Sequence, residues 1–157
     1  MTDIRVQAEP FDAGAELSAF LARNPQAGGV ATFVGQMRDF RGADRSSGQP
    51  LLAMTLDHYP GMAERELADV VAEARTRWPI EDVCVIHRHG DFAPGDPIVL
   101  VIAAAAHRGP AFDACSFMMD WLKTKAPFWK RERGPDGATA WVDAQDVDDA
   151  RAARWGH

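Results

Sequence analysis

Between Pro110 and Thr124 the chain reads as a helix that is apolar on two sides. At about 100° per residue, Phe112, Cys115, Met118, Met119 and Leu122 fall in one stripe, the expected core face. Ala114, Phe117 and Trp121 fall roughly opposite, and only Asp113, Ser116 and Asp120 are clearly polar. Such a helix has to be covered on both faces. In a chain of 157 residues a second subunit is the favoured cover for the second stripe. Pro110 suits the first turn and Pro127 stops the helix.

The flanking segments set the fold class. Ile98–Ala106 and Val83–His89 are apolar strands joined by a turn-forming stretch from Gly90 to Pro97. Leu52, Met54, Leu56 and His58 alternate with Ala53, Thr55 and Asp57 at the strand period. Gly29–Gly35, a β-branched run bounded by glycines, predicts a buried strand, and Ile4 and Val6 start a short one. Asp12–Ala22 reads as a helix with Leu17, Phe20 and Leu21 on its core side. Met62–Trp78 is the clearest helix, burying Leu67, Val70, Val71, Ala74 and Trp78, with Pro79 just past its end. Phe128–Arg133 and Ala138–Asp143 flank Gly134-Pro135-Asp136-Gly137 as a hairpin. A last helix runs from Val147 to Trp155, with Asp146, Asp148 and Asp149 early and Arg151 and Arg154 late, as a helix dipole favours. Short turns between adjacent strands imply mainly antiparallel pairing with helices packed on it, an α+β fold in a single domain over 1–157. Residues 36–49 form a long flexible loop, and 144–157 a C-terminal helix and tail.

Charge is distributed unevenly. The net charge is -6, yet Lys123, Lys125, Lys130, Arg131 and Arg133 crowd into eleven residues with Glu132 as the single acid. Phe128 and Trp129 interleave with these cations, and rings that limit water strengthen each cation's pull on an anion. The acidic total argues against non-specific nucleic-acid binding, which needs a broad basic face. Two cysteines, Cys84 and Cys115, make neither a disulfide framework nor a zinc ribbon. No stretch approaches a membrane span and no signal peptide opens the chain, so a cytoplasmic protein is expected.

Other constellations carry less. His107-Arg108 lies where an apolar strand ends and a helix begins, a place that suits anions, although alone it reads as a surface turn. One helix of roughly 20 Å separates it from the lysine cluster, so the two lie at opposite ends of one pocket or meet across a dimer interface. Arg38, after Gly35-Gln36-Met37, is by itself a plain surface arginine. His87-x-His89, with His58, is better read as structural than as a metal site, since no acidic or cysteine ligand falls at helpful spacing. Cys115 sits on the core stripe, where a thiol is inert.

Longer stretches carry a resemblance. Val34-Gly35-Gln36-Met37-Arg38, Leu56-Asp57-His58-Tyr59-Pro60-Gly61-Met62, Arg77-Trp78-Pro79, Val85-Ile86-His87-Arg88, Pro94-Gly95-Asp96 and Ala106-His107-Arg108 occur in that order, followed by Met119 to Glu132. In this the chain resembles the catalytic (large) subunit family of molybdopterin synthase. The resemblance implies an α/β hammerhead with additional antiparallel strands and a homodimer at the core of a heterotetramer. Its partner would be a small ubiquitin-like sulfur carrier with a C-terminal Gly-Gly thiocarboxylate. Its substrate would be cyclic pyranopterin monophosphate, with no cofactor and no metal. The implied catalytic residues are Lys123 and Lys130. The implied substrate pocket adds Arg38, His107, Arg108, Arg131 and Glu132, with Gln36 and Met37 beside Arg38. The competing reading is a non-catalytic module that binds an acidic peptide tail or a nucleotide.

Overall fold

The computed structural model describes residues 1–157 except 43, 126, 127, 138, 143–145 and 157, and omits the side chains of 125, 139–142 and 146–149. The expected helix stop at Pro127 and the acidic side chains of Asp146, Asp148 and Asp149 lie outside the described residues, as does Asp143.

Fourteen elements follow one another among the described residues: β1 (Thr2–Gln7), α1 (Ala13–Arg23), β2 (Gly29–Gln36), β3 (Phe40–Arg41), β4 (Gln49–Pro50), β5 (Ala53–His58), α2 (Met62–Arg77), β6 (Ile80–Arg88), β7 (Gly90–Phe92), β8 (Pro97–Ala105), α3 (Arg108–Lys125), β9 (Phe128–Arg133), β10 (Thr139–Val142) and α4 (Asp146–Ala153). One four-stranded sheet has the order β1-β6-β8-β2 and a second has β10-β9-β5-β7. All pairings are antiparallel except β1 with β6. This is the expected α+β class. The chain passes from the first sheet to the second at Gly90, whose φ of 108° is open to glycine and strained for other residues.

The first sheet is covered on both faces, which is why β6 and β8 read as unbroken apolar runs. Val83, Val85, Val99, Val101 and Ala103 pack against α2 and α3, while Cys84, Ile86, Leu100 and Ile102 pack against Phe20 of α1. Leu17 joins that layer, but Leu21 is exposed, so α1 buries a narrower stripe than its sequence suggests. β2 is not the buried strand expected from its glycines and β-branched residues. Among the described residues it is the edge of the first sheet, pairing only with β8, and Thr32 and Phe33 are exposed.

Helix α3 is buried on both sides from within the chain. Cys115, Met118, Met119 and Leu122 face the sheet core, as expected, but Phe112 is 63% exposed. Ala114 and Phe117 of the second stripe are completely enclosed. Phe117 meets Trp78 of the α2 end at 5.4 Å, Trp121 at 5.5 Å and Trp155 beyond α4 at 5.7 Å. The cover is therefore tertiary, a correction to the expected subunit contact: the C-terminal helix folds back and supplies it. Asp120 is the latch, accepting hydrogen bonds from Trp155 Nε1 (2.7 Å) and Arg151 Nε (3.2 Å) and pairing with Arg154 (3.2 Å).

The second sheet has its own small core of Met37, Leu51, Met54, Leu56 and Phe92. The described residues of the expected 36–49 loop form a strap beside it: Met37 enters the core, β3 pairs with β4, and Arg45 forms an ion pair with Asp39. The β9–β10 hairpin turns at Gly134–Gly137, closed by Gly137 N–H donating to Gly134 O at 3.0 Å.

Candidate active site

Alternation along β9 sorts the cationic segment onto two faces. Phe128, Lys130 and Glu132 lie opposite His58, Leu56 and Met54 of β5, on the packed side of the second sheet. Trp129 and Arg131 point to the other side, where Trp129 is exposed and meets Tyr59 edge-on at 4.9 Å. Lys123 is exposed near the end of α3, immediately before the segment that feeds β9.

Glu132 is 6% exposed and accepts from Arg41 of the strap, with Nε and Nη2 at 3.0 and 2.8 Å from Oε1. That ion pair ties the strap carrying Arg38 to the strand carrying Lys130. The Arg38 guanidinium donates to Gly42 O at 2.9 Å and lies 4.6 Å over the Phe40 ring. Gln36 is exposed. Met37 is buried in the second core, and its backbone is bonded to Asp96 O and Gly95 N–H in the Pro94–Asp96 turn. The Met37 side chain thus braces the strap from inside and does not face a solvent-open pocket.

His107 and Arg108 form the other half. They are exposed at the turn from β8 into α3, lining an open hollow of about 520 Å³ with Gly28, Ala106, Gly109 and Pro110. Gly28 and Gly29 make room for them. A Cβ on Gly28 would lie 1.9 Å from Ala106 O, and one on Gly29 3.0 Å from the Arg108 Cα. The hollow adjoins the N-terminal turn of α3, whose free N–H groups favour an anion. Within one chain Arg108 stands apart from Lys123, because fifteen residues of α3 span about 22 Å.

Two further side chains touch the elements that carry these residues. Arg41 gave no signal, since only the fold shows that its partner is Glu132, 91 residues later. His87, set aside as structural, lies under the site with its ring stacked on Phe128 at 3.8 Å. Its signal was its place inside an otherwise apolar strand. His58 and His89 do converge, with ring centroids 4.0 Å apart. Among the described residues no group of three His, Cys, Asp or Glu side chains is arranged to hold a metal. Cys115 is buried and its thiol is pushed up to about 11 by burial, which leaves it protonated at neutral pH.

An α+β scaffold with a strap tied to the strand of Lys130, and a separate open hollow at the start of α3, narrows the class. Residues 6–125 match the family model described as MoaE protein, and the chain belongs to that family. It is 50% identical over 156 residues to a molybdopterin synthase catalytic subunit of Ralstonia nicotianae, covering 99% of this chain and 85% of the relative. Among solved structures it is similar to a molybdopterin biosynthesis MoaE protein from Burkholderia ambifaria. That match has a TM-score of 0.82 and 50% identity, covering 100% of this chain and 99% of the other. The Staphylococcus aureus molybdopterin synthase matches with a TM-score of 0.76 and 25% identity, over 88% of this chain and 96% of that one.

Proposed function

We infer that this chain is the sulfur-transferring catalytic subunit of a molybdopterin synthase. It moves sulfur from the C-terminal thiocarboxylate of a small ubiquitin-like carrier onto cyclic pyranopterin monophosphate, building the dithiolene of molybdopterin. The observation that carries this reading is a cationic site assembled from several elements in a chain half identical to named catalytic subunits along nearly its whole length. Both reactants are anions and repel each other without cations between them. Lys123 and Lys130 offset that repulsion. A lysine also stabilises or protonates the oxygen released when the cyclic phosphate opens. The carrier–substrate acyl-thioester is then hydrolysed, which needs a polarised carbonyl and a positioned water. Lys123 at the helix end suits the carrier tail, and Lys130 the pterin. Arg38, His107 and Arg108 hold the anionic groups and Gln36 borders them, while Arg131, on the opposite face of β9 from Lys130, adds its charge from that side. Glu132 acts on this pocket through Arg41.

The separation of His107-Arg108 from the lysines favours a site completed by a second copy. The free edge of β2 runs from Gly29, beside Arg108, to Gln36, beside Arg38. Antiparallel pairing of two β2 edges about a two-fold axis carries the His107-Arg108 of one copy toward the Arg38 and lysines of the other. Phe33 and Phe112, 43% and 63% exposed, supply apolar area for that contact.

Two free cysteines and the absence of any helix long and apolar enough to cross a membrane among the described residues are consistent with the cytoplasm as the place of action. Incubation with thiocarboxylated carrier and cyclic pyranopterin monophosphate, followed by assay of molybdopterin, tests the reaction. Carrier binding without product would instead support the docking-module reading. Lys123→Ala is expected to abolish product while leaving the circular dichroism spectrum unchanged, because the side chain is exposed.

A further inference from the structure

The His87-Arg88 pair at the end of β6 has no part in the chemistry above, yet both side chains are buried. Consecutive strand residues point to opposite faces. Arg88 faces backbone: its guanidinium donates to Ala8 O at 3.1 and 2.9 Å and to Pro97 O at 3.0 Å, and lies 4.9 Å over the Phe92 ring. These bonds tie the end of β6 to the segment after β1 and to the start of β8.

His87 faces the other way. Its Nδ1 lies 2.9 Å from Arg88 O, and a carbonyl only accepts, so Nδ1 carries the proton and the ring orientation is fixed. The ring stacks on Phe128 with 3.8 Å between centroids and 12° between planes. Phe128 opens β9, two residues before Lys130 and on the same face of that strand. His58, paired with Phe128 in the ladder, has its ring 6.0 Å away and in turn meets His89. On the α3 side His87 is within electrostatic reach of Lys123. One buried ring therefore touches the strand that bears one lysine and senses the charge of the other.

We propose that His87 is a positioning residue for the lysine pair: its clamped ring seats Phe128 and thereby sets where Lys130 stands relative to Lys123. This rests on reading those lysines as the catalytic pair. The ring has to be neutral there, since an imidazolium would put a third positive charge beneath the site. Burial pushes its pKa down to about 4 against the pull of the Arg88 carbonyl, and Lys123, His58 and His89 add to the push. A leucine would fill the volume but offers no flat face to the Phe128 ring, whereas a phenylalanine keeps the stack.

The test is a double-mutant cycle on turnover with thiocarboxylated carrier and cyclic pyranopterin monophosphate. His87→Leu and Phe128→Leu are each expected to lower kcat by about tenfold to a hundredfold, the scale of a small misplacement of reacting groups. KM for both substrates should stay within about twofold, since positioning acts after binding. The double variant should be no worse than either single one, and His87→Phe should recover most of the lost kcat. Additive losses, a rise in KM in place of the fall in kcat, or a His87→Phe as impaired as His87→Leu would overturn the proposal. If His87→Leu does not fold, Phe128→Leu against His87→Phe gives the same discrimination. Lys123→Ala and Lys130→Ala are assayed alongside. Full turnover in them removes the catalytic reading and the positioning role with it. Full turnover in His87→Leu beside inactive lysine variants removes the positioning role alone.

Discussion

Buried ionisable side chains in this protein either keep their charge through a partner or give it up. Asp82 keeps it: burial pushes its carboxyl up, but hydrogen bonds from Arg23 and Asn24, and the charge of Arg23, hold it below the usual aspartate value. His87 gives it up. A folded pKa of about 4 lies below the unfolded value of about 6.5, so the unfolded chain binds that proton first. The His87 contribution is complete above about pH 6.5 and is lost as the pH falls toward 4, with a slope of up to about 1.4 kcal/mol per pH unit. The Asp82 contribution is complete above about pH 4 and is lost only below it, so the two separate on the pH axis. Urea midpoints between pH 4 and 7 are expected to fall in the wild type and to fall less in His87→Phe. Parallel curves for the two proteins would mean that His87 is not the group that titrates. The one hint in the sequence was a histidine set inside an otherwise apolar strand. A histidine inside β6 looked structural by spacing, and only the fold brings its ring onto Phe128 and away from water.

Among the elements, α3 has its second face closed by distant chain. Its second stripe is closed by Trp78 from the end of α2 and Trp155 from the end of α4, and Arg77 adds both a hydrogen bond to Trp155 O (2.6 Å) and a ring contact with Phe117 (4.8 Å). Asp120 gathers three donors from the C-terminal segment, two of them on half-exposed arginines that water can satisfy again. Asp120→Ala is therefore expected to destabilise the fold by about 1–3 kcal/mol, mainly through the Trp155 indole N–H and the loosened α4. Chemical denaturation measures the loss, and tryptophan fluorescence should shift to the red as Trp155 meets water. An unchanged midpoint would show that α4 is held by ring packing alone. The two apolar stripes were legible from helical periodicity, because residues three and four apart share a face. What covers them was not, since nothing near α3 in sequence announces a helix that follows more than twenty residues later.

For the whole molecule, the free β2 edge and the split cationic site lead to the same expectation. Phe112→Asp places a charge on an exposed ring of the expected two-copy contact, so light scattering should show a monomer with an unaltered circular dichroism spectrum. A folded, fully dimeric variant would move the interface elsewhere. Complementation tests sharing directly. If Arg108→Ala and Lys123→Ala chains are each inactive alone, one site of a mixed dimer is intact and the other carries both changes. Random mixing should then restore roughly a quarter of wild-type turnover, as two-fold symmetry requires. No recovery on mixing would mean that each chain holds a complete site.

Local signals in the chain determined the order of the longer elements, the α+β class, the Gly134–Gly137 turn and the cationic cluster, but not the short strands β3, β4 and β7, the last of which lies inside the expected Gly90–Pro97 turn. Helical and strand periods, turn residues and breakers act over a few residues, so they are written where they operate. The family segments named the candidate residues in the same way, one short stretch at a time. Tertiary structure alone decided that β2 is an edge, that β1 pairs parallel to β6, and that Met37 braces a second core. It also decided that Glu132 belongs to Arg41 and that Trp155 covers the second face of α3. These depend on which surfaces meet after the chain has folded back over tens of residues. A glycine-bounded apolar run has the same local pattern at the edge of a sheet as in its middle, and only the presence or absence of a neighbouring strand tells them apart.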